Sequence, residues 1–293
     1  MNQPIQVISV VGPTASGKTR LAVELAKHFN GEIISADSMQ IYQGMAIATA
    51  KPTQEEMQGI PHHLIDFLPP DQTYSVALFV RDAARCIEDI TARGKLPIIA
   101  GGTGLYVDSL LNHVQFREEQ RDEAYAAQLR EELLQNGVEP LLQRLWEVDA
   151  ASARRLSAEK NPKRIIRALE FYHTTGTTIT EQLAQSRQTP SPYRAVKLGL
   201  NFKDREKLYD RINRRVDQML AQGLIEEAQR VLASPLSCTS VMAIGYKELM
   251  PYIRGEKPLD ECVASLKTAT RHYAKRQITW FSRNEDALRV EME

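Results

Sequence analysis

The stretch VISVVGPTASGKTRLAVELAKHF, residues 7 to 29, constrains this chain more than any other. Val7 to Val11 form a short apolar, β-branched run, the pattern of a strand covered on both faces. Gly12, Pro13, Thr14, Ala15, Ser16, Gly17, Lys18 and Thr19 follow and fill every position of the P-loop pattern. Leu21, Ala22, Leu25, Ala26 and Phe29 then recur at helical spacing, so a helix is expected to begin at the loop. Glycines let backbone N–H groups curl round an anion, and a helix N-terminus adds the positive end of its dipole. Lys18 offers a point charge to phosphate oxygens, and the Thr19 hydroxyl a ligand for a phosphate-bound Mg²⁺. A ligand carrying two or more phosphates is therefore expected here. The motif leaves open which phosphate compound binds and which bond breaks.

A chain of 293 residues has room for one large domain or two smaller ones. Lys and Arg balance Asp and Glu at 37 each, so any nucleic-acid surface must come from local segregation of charge. Cys86, Cys238 and Cys262 are far apart and unpaired in sequence, which points to neither a zinc site nor a disulfide framework. No apolar run is long enough to span a bilayer and no signal peptide precedes the first strand, so no membrane association and a cytoplasmic location are expected.

Asn30-Gly31 reads as the cap of the first helix, and Glu32 to Ala36 as a second strand. That strand delivers Asp37, Ser38, Met39 and Gln40 at its C-terminal end, the edge where ligands sit in doubly wound sheets. Asp37 fits either a ligand-facing carboxylate or a turn-capping one. His62 and His63 are adjacent in a Pro-rich segment, a spacing better suited to packing than to a metal. Ser75 is expected to cap a helix from Val76 to about Arg93, stopped by Gly94. Leu96 to Ala100 read as another buried strand, ending in the Gly-rich turn GGTGLY, which serves close ligand approach or tight packing equally. That strand lacks the terminal Asp that many P-loop NTPases use to hold Mg²⁺.

From about residue 113 helical periodicity replaces strands. Leu129, Leu133 and Leu134 mark one helix, and Leu141, Leu142, Leu145 and Trp146 a second. Ile165, Ile166, Leu169 and Phe171 mark a third, and Ile179 and Leu183 a shorter one. Acids (Glu118, Glu119, Asp122, Glu123, Glu131, Glu132) crowd the start of this region. Cations (Arg154, Arg155, Lys160, Lys163, Arg164, Arg167) follow, as a solvated face or a nucleic-acid contact. Residues 195 to 201 return to strand character. A basic helix with Arg205, Lys207, Arg211, Arg214 and Arg215 follows, then a final helix from Val263 to Arg283 that carries Lys275 and Arg276 among Tyr273 and Trp280 and contains no acid. The expected fold is α/β: a P-loop NTPase-like core with a mainly parallel sheet, residues 1–112 and 198–293, carrying an all-α insertion, residues 113–197.

Taken together, GPTASGKT, DSMQIY, GGTGLY, NPKRIIRALE, AIGYKE and AKRQITW resemble the tRNA dimethylallyltransferase family, in the family's order and nearly end to end. The resemblance implies transfer of a dimethylallyl group from dimethylallyl diphosphate to the exocyclic amine of the adenine 3′ of the anticodon. It implies Mg²⁺, a flipped target base, a P-loop that holds the diphosphate leaving group, and the tRNA anticodon stem-loop as partner. No obligate protein partner is implied, and a monomer is expected. Asp37 resembles the family's general base or hydrogen-bond acceptor for the adenine amine, and Thr103 a substrate contact in the reaction channel. Arg211 and Arg215 match arginines facing the diphosphate. Asp37 to Gln40, Asn161, Pro162, Lys163, Arg164, Ile165, Gly245, Tyr246 and Lys247 match tRNA contacts, and Lys275 and Arg276 belong to a further basic tract. Tyr125 stands where the family has a tRNA contact, often Arg. A P-loop kinase of a small metabolite, with Asp37 accepting a hydroxyl proton, is the alternative reading. The missing Asp after LPIIA and the basic helical region argue against it.

Overall fold

The computed structural model describes residues 3–116, 122–159, 161–237, 239–284 and 286–292. Glu118, Glu119, Lys160 and Cys238 lie outside the described residues. The chain divides into two compact units, Met1–Leu111 with Pro192–Glu293, and Asn112–Ser191.

In the first unit the β-branched runs become strands: β1 (Ile5–Val11), β2 (Gly31–Ser35), β3 (His62–His63), β4 (Leu96–Gly101), β5 (Tyr193–Phe202) and β6 (Leu288–Met292). Among the described residues they form one parallel sheet in the order β3-β2-β4-β1-β5-β6. Ile8 lies opposite Ile98 on one side and Val196 on the other. The strand period of two sends Val7, Val11, Ile34 and Ile99 into one core and Val10, Ile33 and Ile98 into another. Each fully buried Ile or Val contributes about 1.5–3 kcal/mol relative to exposure.

Helix α1 (Lys18–His28) covers the second of these cores through Ala22, Val23 and Ala26. Helices α2 (Gln54–Met57), α3 (Val76–Ala92) and α4 (Gly104–Leu111) complete the first part of this unit. Ser75 caps α3, its hydroxyl accepting the Leu78 N–H, and the helix buries Phe79, Ala83, Ile87 and Ile90 on the other face of the sheet. The left-handed residue after α1 is Asn30 (φ 50°), whereas Gly31 already belongs to β2 and shows no left-handed backbone. His62 and His63 are the short edge strand β3, with the His62 Nδ1 at 2.9 Å from the Ile60 carbonyl and the His63 Nε2 at 2.7 Å from Glu32. No group of three or more His, Cys, Asp or Glu able to hold a metal exists among the described residues. Among the described residues Cys86 and Cys262 are free thiols.

The second unit contains α5 (Glu123–Asn136), α6 (Glu139–Val148), α7 (Ala150–Glu159), α8 (Pro162–Thr175) and α9 (Ile179–Gln188). Leu129, Leu141, Leu145, Leu156, Ile165, Ile166 and Leu169 form its core. Leu134, assigned by periodicity to the apolar face of α5, is instead 86 % exposed. Helix α7 escapes the periodic pattern because its buried face is mostly small: Ser152 and Ala153 with the single large residue Leu156.

The chain returns to the first unit earlier than expected. β5 starts at Tyr193 and pairs with β1 from Ile5 onward, so residues 193–197, assigned to the insertion by the sequence, run in the core sheet. Then come α10 (Arg205–Ala221), α11 (Leu224–Leu232), α12 (Tyr246–Ile253) and α13 (Leu259–Phe281), which begins one turn before the expected Val263. Among the described residues no helix is long and apolar enough to cross a membrane.

Candidate active site

Because the sheet is parallel, the turns after β1, β2 and β4 emerge at one edge. They surround a cavity of about 900 Å³. Thr14, Ala15, Ser16, Gly17, Lys18 and Thr19 line it, with Gly12 and Pro13 buried behind them. Gly17 sits at φ 88° immediately before α1, a left-handed conformation that favours glycine and turns the chain into the helix. The Lys18 Nζ donates to the Pro13 carbonyl at 2.6 Å, closing the loop on itself. Burial, and then the Arg215 charge, pull the Lys18 pKa down to about 7, against the raising effect of Asp37. The Ser16 Oγ is buried and has no hydrogen-bond partner among the described residues. An orphaned hydroxyl in an anion loop suits a ligand oxygen.

Arg211 and Arg215 project from α10 into the same cavity, and Arg214 lines it as well. The Arg211 Nε donates to the Ala15 carbonyl at 2.9 Å, fixing one guanidinium against the P-loop. Across from these cations, the Asp37 Oδ1 accepts the Met39 N–H at 2.9 Å and the Gln40 N–H at 3.3 Å. The turn-cap and ligand-facing readings of Asp37 are thus compatible: one oxygen caps the turn, and the other takes no hydrogen bond from the described residues. Thr103 sits beside it, its Oγ1 accepting the Ser38 N–H at 3.0 Å.

Several residues expected at a tRNA surface are used internally. The Gln40 amide accepts from the Ser35 hydroxyl and donates to the Thr49 and Ala50 carbonyls, pinning the cavity lip from within. Tyr246 is 0 % exposed and its hydroxyl donates to Glu227 at 2.9 Å, so its side chain has no outer face. Ile165 belongs to the core of the helical unit. Each is apolar, or bonded within the protein, because it completes a core or a loop.

Most of the remaining assignments sit nearer the surface, Gly245 being buried. Ser38, Met39, Gly245, Lys247 and Arg276 line the cavity, and Lys275 is exposed on α13. In the helical unit Asn161 and Pro162 open α8, with Lys163 and Arg164 exposed on its first turn and Arg164 paired to Glu159. Tyr125 stacks on His173 at 3.9 Å between ring centroids and receives a hydrogen bond from Arg144.

Sequence reasoning missed Glu227. Buried in α11, it accepts the Ile47 N–H at 2.8 Å and the Ala48 N–H at 2.9 Å, holding the lip opposite the P-loop. No motif marks it. Tyr273, noted in sequence only as an aromatic between cations, lines the cavity with Asp37, Thr103, Arg276 and Gln277 about its hydroxyl.

A parallel sheet whose β1 runs through a P-loop into a helix, with arginines and a carboxylate round one cavity, defines a phosphate-binding α/β enzyme of the P-loop class. Residues 40–285 match the IPP transferase family and residues 5–67 match isopentenyl transferase. The chain belongs to the IPP transferase family. The tRNA dimethylallyltransferase of Oceanobacillus iheyensis is 48% identical over 288 residues, 98% of this chain and 91% of the relative. That of Bacillus mycoides is 49% identical over 282 residues, 96% of this chain and 88% of the relative. Among solved structures, the full-length tRNA isopentenylpyrophosphate transferase of Bacillus halodurans superposes with a TM-score of 0.72 at 44% identity, covering 98% of this chain and 89% of the other. A eukaryotic dimethylallyltransferase acting on tRNA superposes with a TM-score of 0.82 at 29% identity, covering 98% and 74%.

Proposed function

We propose that this chain transfers the dimethylallyl group of dimethylallyl diphosphate to the exocyclic amine of the adenine 3′ of the anticodon in tRNA, releasing diphosphate. One observation carries the reading: an anion loop with its cations and a carboxylate with an open oxygen line the same cavity. The family and its named relatives supply the substrate pair. Lys18, Arg211 and Arg215 with the loop amides bind the diphosphate and stabilise the negative charge that grows on it as the allylic C–O bond breaks. The adenine nitrogen forms the new bond to that carbon and loses a proton, for which Asp37 Oδ2 is the acceptor. Thr103 and Ser38 hold the turn that presents it. A base stacked in its loop cannot enter such a cavity, so the adenine leaves its stack first.

The residues present fit Mg²⁺ held mainly through the substrate. With no carboxylate cage among the described residues, the Thr19 hydroxyl would be the protein group that holds the ion beside the bound diphosphate. When bound, the ion offsets charge on the departing diphosphate. Exposed Lys163 and Arg164 on α8 and Lys247, Lys275 and Arg276 in the core unit are the phosphate-backbone contacts, and the enzyme acts as a monomer in the cytoplasm.

The test is mass spectrometry of tRNA nucleosides after incubation with the protein, dimethylallyl diphosphate and Mg²⁺. The expected product is an adenosine heavier by one dimethylallyl group. Unmodified tRNA alongside phosphorylation of a small metabolite by labelled ATP would replace this reading with the kinase one.

A further inference from the structure

Gln277 has no part in the chemistry above, yet it is only 5 % exposed and its carboxamide is bonded at both ends. Its Oε1 accepts the Thr14 N–H at 2.7 Å, and its Nε2 donates to the Gly102 carbonyl at 3.0 Å. The first partner lies in the P-loop. The second opens the turn after β4 that carries Thr103, whose Oγ1 in turn accepts the Ser38 N–H beside Asp37. A polar path therefore runs from the leaving-group loop to the turn holding the carboxylate, and one side chain from near the far end of the chain closes it. Gly102 has to be glycine for this bond, because a Cβ there would stand 2.1 Å from the Gln277 Nε2. Without the carboxamide, a half-buried N–H and a buried carbonyl would each lose a partner, and both belong to loops that must keep their shape. Trp280, one turn onward, donates to Asp108 of α4 at 2.6 Å and anchors α13 on its other neighbour.

We propose that Gln277 is a positioning residue that sets the P-loop at a fixed separation from the Asp37–Thr103 turn, so that donor diphosphate and acceptor amine meet in reacting geometry. The proposal rests on the diphosphate reading of the P-loop. Gln277→Met keeps length and shape and removes both hydrogen bonds.

Steady-state kinetics with tRNA, together with calorimetry of inorganic diphosphate in Mg²⁺, test it. The KM for dimethylallyl diphosphate and the Kd for inorganic diphosphate are expected to rise about 10-fold and kcat to fall, with tRNA affinity unchanged. A merely structural role lowers the melting temperature and the active fraction, leaving KM and the diphosphate Kd at wild-type values; that result overturns the proposal. Gly102→Ala displaces the carboxamide from the opposite side and stands in should the Met variant fail to fold; about the same 10-fold rise is expected, and an unchanged Kd overturns the proposal. If the wild-type protein itself binds no diphosphate, the functional reading fails and this inference with it. If the wild type binds and both variants bind equally well, only the role of Gln277 falls.

Discussion

Two aspartates show how differently the units treat a carboxylate. In the helical unit Asp149 is buried and closed: its Oδ1 accepts the Ser152 N–H and the Thr180 hydroxyl, and its Oδ2 the Thr180 N–H. Burial works against its charge, but the bonds from Thr180 and Ser152 prevail and hold its carboxyl below the usual range. In the core unit Asp37 has the same kind of turn behind it, yet one oxygen is left for the cavity. Asp149 ties α7 to α9, whereas Asp37 presents an acceptor. The arginines divide in the same way. Arg211, Arg214 and Arg215 of α10 line the cavity beside the P-loop, whereas Lys163 and Arg164 of α8 sit on an exposed helix face. The core unit gathers cations and an open carboxylate oxygen round a cavity, whereas the helical unit sets Lys163 and Arg164 on an exposed face.

Changes among the P-loop and Asp37 side chains of the core cavity should therefore alter turnover, and changes among the exposed cations of α8 should alter tRNA affinity. Lys18→Ala is expected to have the largest effect, a loss on the order of 1000-fold in turnover with tRNA affinity nearly intact in a filter-binding assay. A comparable loss of binding would break the division between the units. Asp37→Asn keeps the shape of the turn but cannot take a proton. Its single-turnover rate at saturating tRNA should drop about 100-fold, and raising the pH should not restore it. A near-normal rate in a folded variant would remove Asp37 from the chemistry.

Glu32 provides a control inside the core unit but away from the cavity. It is 1 % exposed, and hydrogen bonds from Arg93 first, then Lys95 and His63, hold its carboxyl far below the usual range against the cost of burial. Glu32→Gln should cost about 2–3 kcal/mol in urea unfolding near neutral pH without altering KM. Because the folded state keeps this carboxylate ionised where the unfolded one takes up a proton, the gap between wild type and variant should be flat above about pH 5. It should close as pH falls below about 4; a gap that widens there would contradict the network. The smallest effect is reserved for the helical unit. Neutralising Lys163 and Arg164 should weaken tRNA binding about 10-fold and flatten its salt dependence, while turnover at saturating tRNA is retained. An unchanged salt slope would reduce these cations to a solvated face.

Much of this molecule was legible one segment at a time. The P-loop, its flanking strand and helix, the Ser75 cap and the cations of α10 are all local patterns, because a phosphate loop and a helix cap are made by consecutive residues. Apolar periodicity located α5, α6, α8 and α9, but not α7, whose buried face is mostly serine and alanine. The polar edge strand β6, exposed along most of its length, carries no alternation strong enough to read.

What the linear order of residues determined by itself was the anion loop, the run of parallel strands and the presence of Asp37 at a strand end, since each depends on neighbours in sequence. Only the tertiary structure decided that Asp37 keeps one oxygen open, that Tyr246 and Ile165 face inward, that Glu227 holds the cavity lip, and that Gln277 reaches back across 263 positions to the P-loop. Those properties depend on which distant backbone groups are left without partners once the strands have paired. A chain's own order does not reveal that until the sheet has brought the loops to one edge.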